Sequence, residues 1–128
     1  MTVHPMPTPS APKAVGPYSP AVRAGDWLVL SGQLGLDPAS GTLVDGGAEG
    51  QARQVLANIA AVLNDCGATL SDVAKATMFL VDLGDFPAVN AAYAEIFGDH
   101  KPARSTFQVA GLPAGASVEI EVWAYLPE

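Results

Sequence analysis

The stretch KATMFLVD, residues 75–82, has apolar side chains at both alternating sets of positions. In a strand it would place Phe79 and Val81 on one face of a sheet and Met78 and Leu80 on the other, because successive side chains point to opposite faces. Apolar residues on both faces are typical of a strand in a sheet that is covered on both sides. The fold must therefore provide a covering layer for each face of this sheet.

Two segments have the apolar period of an amphipathic helix. The first runs from about residue 49 to 66 and the second from about 86 to 97. Gly67 and Gly98 follow them, and glycine is a common residue just after a helix end. Two helices can cover only one face of such a sheet. The second apolar face therefore predicts a homo-oligomer, in which another subunit covers it.

The remaining strands are predicted from turn signals and β-prone runs. Gly25-Asp26 is a two-residue turn signal that predicts a hairpin. Two more strands are predicted at about 105–110 and 117–126, and we interpret them as an antiparallel hairpin. The element order ββ-α-β-α-ββ predicts an α+β domain with a mixed sheet and two helices on one face. A chain of 128 residues fits one such domain.

Composition limits the classes of function. Six Lys and Arg against 13 Asp and Glu give a net charge of -7, which disfavours nucleic acid as the main partner because phosphate binding depends largely on basic side chains. Cys66 is the single cysteine, so an intrachain disulfide is excluded, and we interpret it as a small core residue. The two histidines have no partner at ligand spacing, and no metal site is expected.

The N-terminal residues are expected to form a lead-in rather than part of the core. Residues 1–12 contain four of the 11 prolines, which predicts an extended, flexible segment and leaves 13–128 as the single domain. The lead-in lacks the pattern of a signal peptide, and no apolar run approaches the ~20 residues of a membrane span. We therefore expect a cytoplasmic protein.

Arg104 and Glu119 are the residues whose chemistry stands out. A guanidinium such as that of Arg104 can bind a carboxylate through two parallel hydrogen bonds. In the predicted hairpin Glu119 would lie opposite about Gln108, about 13 Å along the sheet from Arg104 at ~3.3 Å per residue. The two could then bracket a small ligand or meet through a neighbouring subunit. The alternative interpretation of the Glu119 strand is a solvated face.

Three other polar residues have both structural and binding interpretations. Ser31 ends a strand, Asn90 shares a helical face with aromatic residues, and Tyr18 could plug the first hairpin. Residue types and spacing alone therefore indicate an oligomeric α+β domain with a candidate anion-binding arginine.

Six segments, in the same order along the chain, together resemble one family. They are GPYSPAV (16–22), SGQLGLDPASG (31–41), QARQVLANIAAVLNDCG (51–67), DFPAVNAAYAEIF (85–97), PARSTFQVAGLP (102–113) and VEIEVWA (118–124). This pattern is similar to that of the RidA family, also called YjgF/YER057c/UK114, and covers nearly everything after residue 11.

The resemblance implies a chorismate-mutase-like fold and a homotrimer with ligand clefts between subunits. It also implies hydrolysis of reactive 2-enamino and 2-imino acids, such as 2-aminoacrylate and 2-iminopropanoate, to 2-keto acids and ammonia without a cofactor. By position in the family motifs, Arg104 would bind the substrate carboxylate and Glu119 would position the attacking water. Tyr18, Ser31 and Asn90 match positions that line the family cleft, and the backbone at Thr106 would also face the carboxylate.

The chain departs from the family pattern around Arg104. Lys101 stands where a phenylalanine often precedes the PARS motif, the preceding loop is shorter than in archetypal bacterial members, and Thr106 replaces a cysteine found in many relatives. Because this loop borders the cleft, substrate preference stays open. Two alternatives also stay open: a trimer that binds small carboxylates without catalysis, and an RNA-directed role as an endoribonuclease or translation inhibitor, which the acidic charge disfavours.

Overall fold

The computed structural model describes residues 2–127. Within this range the chain forms strands and two α-helices, joined by loops and short 3₁₀ helices. The strands are β1 Val3–Pro5, β2 Ala21–Ala24, β3 Trp27–Leu30, β4 Gln33–Leu34, β5 Val73–Leu80, β6 Ala103–Gln108 and β7 Val118–Tyr125. The α-helices are α1 Gly47–Asp65 and α2 Phe86–Phe97, with single-turn 3₁₀ helices at Leu70–Asp72, Leu83–Asp85 and Pro113–Gly115. The two predicted helices and the first hairpin are confirmed. No helix in the described range is long and apolar enough to cross a bilayer.

The sheet order is β1-β2-β3-β7-β5-β6, and β4 also pairs with β7. Strand β6 runs parallel to β5, with Arg104 opposite Ala76, and β7 runs antiparallel to β5, with Glu119 opposite Phe79. The predicted hairpin between the last two strands is therefore wrong, because β5 lies between them. Helix α2 connects β5 to β6, and a strand–helix–strand crossover places its strands parallel in one sheet. Strand β7 then pairs with the other side of β5.

The face of the sheet that packs against both helices forms the core. Its fully buried side chains alternate along β5 and β7, namely Ala76, Met78, Leu80, Val118, Ile120 and Val122. They pack against the fully buried apolar side of α1, formed by Val55, Leu56, Ile59, Val62 and Leu63. Burial of each large aliphatic side chain contributes about 1.5–3 kcal/mol, so this contact fixes both helices to the sheet. Cys66 lies in the same core, and burial raises the pKa of its thiol. Its interpretation as a small core residue is confirmed.

The opposite face of the sheet, which we call the open face, has no helix over it within residues 2–127. Trp27 meets Trp123 and Tyr125 edge-on, at 6.3 and 5.1 Å between ring centroids, and Phe79 stacks on Phe107 at 6.4 Å. Trp123, Tyr125 and Phe107 are each about half exposed, at 47, 47 and 53 %. The expectation that two helices leave one apolar face uncovered is confirmed.

The N-terminal lead-in follows the edge of the domain. Strand β1 pairs antiparallel with β2, and the backbone N–H and hydroxyl of Ser10 both donate to the Asp65 carboxylate at 2.9 Å. Residues 3–5 are extended, as the prolines predict, whereas the N–H of Ala11 donates to the carbonyl of Thr8 at 3.1 Å and closes a turn. Its predicted flexibility and the predicted boundary between residues 12 and 13 stay predictions.

Candidate active site

A cavity of about 410 Å³ lies between α2 and the start of β6. Its polar lining consists of Asn90, Tyr93, His100, Lys101 and Arg104. The volume is within the range of about 300–1,000 Å³ that is typical of small-molecule sites. We call it the α2–β6 cavity.

Arg104 reaches this cavity from the helix-covered side of the sheet, the side to which its register partner Ala76 points. Its guanidinium carbon lies 4.7 Å from the ring centroid of Tyr93 and 5.4 Å from that of Phe86. Stacking on two rings orients the planar group while leaving N–H donors for a ligand. The ion pairs within residues 2–127 all involve Arg53, so Arg104 brings an unneutralised positive charge to the cavity.

Tyr93 is a cavity residue that sequence reasoning did not select. Its side chain is 7 % exposed, and its hydroxyl has no hydrogen-bond partner within residues 2–127. Burial raises the pKa of Tyr93, opposed by the nearby Arg104, so the hydroxyl stays protonated and can donate. The hydroxyl oxygen is itself buried and interacts with the Arg104 guanidinium, so Tyr93 helps to position Arg104 at the cavity wall. Its spacing of three residues from Asn90 on α2 was the available signal.

Two other predicted site residues lie on the same side as Arg104. Asn90 lines the cavity one helical turn before Tyr93. Thr106 pairs with the buried Met78, so its side chain also points to the helix-covered side. Strand β6 ends the sheet order, and its outer backbone groups have no partner strand within the described part of the chain. A ligand at Arg104 could therefore also use the backbone near Thr106.

Glu119 lies on the open face, away from Arg104. It is half-buried and pairs with Phe79 on β5 and Leu34 on β4. Burial raises the pKa of Glu119, and the nearby Glu121 carboxylate raises it further. A carboxylate with a raised pKa is a stronger base than an ordinary one.

Gly32 lies between Glu119 and the other two predicted site residues, Tyr18 and Ser31. A Cβ added to Gly32 would lie 2.4 Å from Oε2 of Glu119, so the carboxylate rests directly against this glycine. Gly32 also lines a small cavity of about 40 Å³ together with Tyr18. The Ser31 hydroxyl donates to the carbonyl of Ser19 at 2.7 Å, which fastens the segment that carries Tyr18.

The six predicted residues thus form two groups in one chain. The first group is Asn90, Arg104 and Thr106; the second is Tyr18, Ser31 and Glu119. From strand spacing and rise, the Cα atoms of Arg104 and Glu119 are separated by about 14 Å, and their side chains leave opposite faces of the sheet. The two groups do not converge within a single chain.

The chemistry of the groups is complementary. The first offers a fixed cation, an amide and a hydroxyl, which suit a small carboxylate, and the second offers a base that could activate water. Residues 2–127 contain no cluster of three or more His, Cys, Asp or Glu side chains that could hold a metal ion. Fold and sites together define an α+β domain suited to binding small organic anions.

The family is shown by a model described as Endoribonuclease L-PSP, which matches residues 8–126. The chain belongs to this family, which is the RidA (YjgF) family predicted from the sequence.

Relatives match along nearly the whole chain. A 2-iminobutanoate/2-iminopropanoate deaminase of Capra hircus is 50 % identical over 117 residues, which are 91 % of this chain and 85 % of the relative. A RutC family protein of Pyrococcus horikoshii is 48 % identical over 118 residues, 92 % and 94 % of the two chains. The crystal structure of RidA from an Antarctic Psychrobacter species has a TM-score of 0.91 and 43 % identity, covering 94 % of this chain and 98 % of that one. The predicted RidA-type α+β fold is confirmed.

Proposed function

We propose that the protein is a hydrolytic deaminase of reactive 2-enamino and 2-imino acids, which it converts to 2-keto acids and ammonia. The observation that carries this proposal is the Arg104 guanidinium, which is oriented by Tyr93 and Phe86 and free of any carboxylate within residues 2–127. Membership of a family that includes proteins named as imine deaminases supports the same chemistry.

In the proposed reaction, Arg104 binds the substrate carboxylate through parallel charge-assisted hydrogen bonds. Glu119 accepts a proton from water as the water oxygen bonds to the imine carbon, and this proton then passes to the imine nitrogen, which gives a neutral carbinolamine. As the carbinolamine collapses, its hydroxyl proton is transferred to the amino nitrogen, the C=O bond forms, the C–N bond breaks and ammonia is released. An enamine enters the same path after a proton is added to its β-carbon. Because the imine carbon is already electrophilic, one carboxylate base is sufficient.

Two subunits would complete each site. The groups of Arg104 and Glu119 lie on opposite faces of one chain, so a shared substrate requires Glu119 from one copy and Arg104 from another. The exposed aromatic side chains of the open face give such copies a surface to bury. A homotrimer is the assembly that the family resemblance implies, and it provides clefts of this kind.

Trp123→Glu is expected to convert the assembly to monomers. Trp123 is half exposed on the open face and packs edge-on against Trp27, and an unpaired carboxylate there would have to be desolvated in the interface. Size-exclusion chromatography with light scattering would measure the mass. Trp123→Phe, which keeps an aromatic ring, should keep the wild-type mass. A wild-type monomer, or a Trp123→Glu variant with unchanged mass, contradicts the proposed interface.

The proposed activity is tested by coupling the protein to a threonine dehydratase, which releases 2-iminobutanoate. Semicarbazide competes for the free imine, and the appearance of 2-ketobutanoate is followed. The rate of keto-acid formation should rise in proportion to the concentration of added protein. If no concentration raises it, the catalytic proposal fails. Arg104-dependent binding of 2-ketobutanoate would then favour the alternative, a non-catalytic carboxylate-binding module.

An endoribonuclease activity, which the family model is named for, is less well supported. The chain has a net charge of -7 and only six Lys and Arg, whereas RNA binding relies on neutralising phosphates with such residues. Tight RNA binding at physiological salt would favour that alternative.

Gly32→Ala is expected to lower activity with little loss of stability. The added methyl would overlap Oε2 of Glu119, and this flexible carboxylate can move away cheaply. We expect kcat/KM to fall about tenfold or more, since small misplacement of a catalytic group is costly, while the melting temperature changes by only a few degrees.

The matched control for Gly32→Ala is Gly111→Ala, because an added Cβ at Gly111 meets no atom within 4 Å. This variant should keep wild-type activity. Full activity of Gly32→Ala would mean that the resting position of Glu119 does not matter to the reaction.

A further inference from the structure

The α2–β6 cavity concentrates positive charge in an acidic chain. Lys101 and Arg104, two of the six Lys and Arg residues, line it together with His100, one of two histidines. Among residues 2–127, no Asp or Glu lines this cavity. A cavity with this lining attracts anions even though the chain as a whole has a net charge of -7.

The three basic side chains differ in their freedom to meet a ligand. Arg104 is held by two aromatic rings. The Nε2 atom of His100 is 2.7 Å from the carbonyl of Val73, which ties the ring to β5. Lys101 is exposed, and its Nζ makes one long contact within residues 2–127, at 3.4 Å to the carbonyl of Gly98. Lys101 is therefore a cation that can turn toward a ligand bound at Arg104.

Lys101 and Arg104 are three residues apart, with Pro102 restricting the backbone between them. They line the same cavity, whose volume of about 410 Å³ falls in the range of pockets for drug-sized ligands. A three- or four-carbon imino acid with one carboxylate would occupy a small part of it.

We propose that the preferred substrates carry a second carboxylate, as the 2-imino dicarboxylates derived from acidic amino acids do. This inference rests on the proposed deaminase function and specifies its substrate class. Arg104 holds the carboxylate next to the imine carbon, and Lys101 binds the side-chain carboxylate. The reaction is the same hydrolysis, so the products are a 2-keto dicarboxylate and ammonia.

The test compares two imines that differ in this carboxylate. 2-Iminosuccinate is generated from aspartate by an amino-acid oxidase and 2-iminobutanoate from threonine by a dehydratase, each with semicarbazide as competitor. The wild-type protein should have the higher kcat/KM for 2-iminosuccinate. Lys101→Met should lower that value about tenfold, the magnitude of one charge-assisted hydrogen bond, and should change the value for 2-iminobutanoate less than about twofold.

Arg53→Met is the control, because it removes one positive charge from a side chain that pairs with Glu49 and Glu95 on the helix surface, outside the cavity lining. Its ratio of the two kcat/KM values should equal that of the wild type. Equal losses on both imines in Lys101→Met, or a wild-type preference for 2-iminobutanoate, would overturn the inference.

Failure of the deaminase proposal itself would look different, since the wild-type protein would then hydrolyse neither imine. Calorimetry with succinate and butanoate, four-carbon acids that differ in one carboxylate, then decides the inference by binding alone. If succinate binds more tightly than butanoate and this difference is lost in Lys101→Met, the result supports the inference that Lys101 and Arg104 each bind one carboxylate. Equal affinities of the wild-type protein for the two acids would overturn this inference.

Discussion

Arg104→Ala is expected to abolish deaminase activity, and Arg104→Lys is expected to lower kcat/KM by at least about a hundredfold. Lysine keeps the positive charge but loses the planar fork that can bind a carboxylate through two parallel hydrogen bonds, each worth about 1.5–3 kcal/mol. It also loses the stacking that orients the group on Tyr93 and Phe86. A carboxylate held less rigidly presents the imine carbon to water in many orientations, so both KM and kcat should suffer.

The Arg104 variants should remain folded, which makes the loss of activity interpretable. Arg104 has no carboxylate partner within residues 2–127, and its contacts with the two rings contribute only about 0.5–1 kcal/mol each. Arg53→Lys is the matched control, since it makes the same substitution at an arginine that pairs with Glu49 and Glu95 on the surface. Wild-type kinetics in Arg104→Ala would remove the basis of the proposed site.

Local signals in the sequence predicted the elements, whereas the pairing of the last strands required the tertiary structure. Helix α2 was predicted at both ends because its apolar period and Gly98 lie within a few residues of each other. Strands β6 and β7 are also neighbours in sequence, and the short segment 109–117 between them resembles a hairpin loop. No signal within these segments shows that β5 pairs with β7 along one edge and with β6 along the other. Pairing is decided by the connection through α2 and by contacts far apart in the chain.

The same limit applies to the site. Alternation correctly placed Glu119 away from the core and Arg104 on the same side as Thr106. Assigning those sides to the open face or to the helix-covered face needs the register with β5, so the division into two groups could not be predicted. Tyr93 was missed for a different reason: apolar periodicity counts its ring as core and does not register the unpaired hydroxyl.

Glu119→Gln is expected to separate activity from stability. Glutamine keeps the shape of the side chain but cannot accept a proton from water, so kcat should fall by about 10²–10⁴-fold, the usual contribution of a general base. In the wild type, burial and Glu121 raise the pKa of Glu119. Wild-type activity should therefore fall as the pH decreases through this raised pKa, because the protonated carboxyl is no longer a base.

The stability of the wild type should change with pH in the opposite sense to its activity. Between the ordinary pKa of a glutamate and the raised pKa of Glu119, the folded wild type binds more protons than the unfolded chain, so its free energy of unfolding decreases as the pH rises. Glutamine has no such ionisation. Glu119→Gln should therefore be more stable than the wild type at neutral pH, and this advantage should disappear below the ordinary pKa. Thermal unfolding between about pH 4 and 8 would measure it.

Glu121→Gln is the control that separates a base from a carboxylate that only shapes the open face. Removing the Glu121 charge takes away the second cause of the raised pKa of Glu119, so the acidic limb of the activity profile should move to lower pH while activity at neutral pH is retained. An effect of Glu121→Gln as large as that of Glu119→Gln would indicate that both carboxylates serve the interface. A shift of the acidic limb with Glu121→Gln, together with inactivity of Glu119→Gln, would be specific to a base at Glu119, because the ionisation of a purely structural carboxylate does not set the acidic limb of the activity profile.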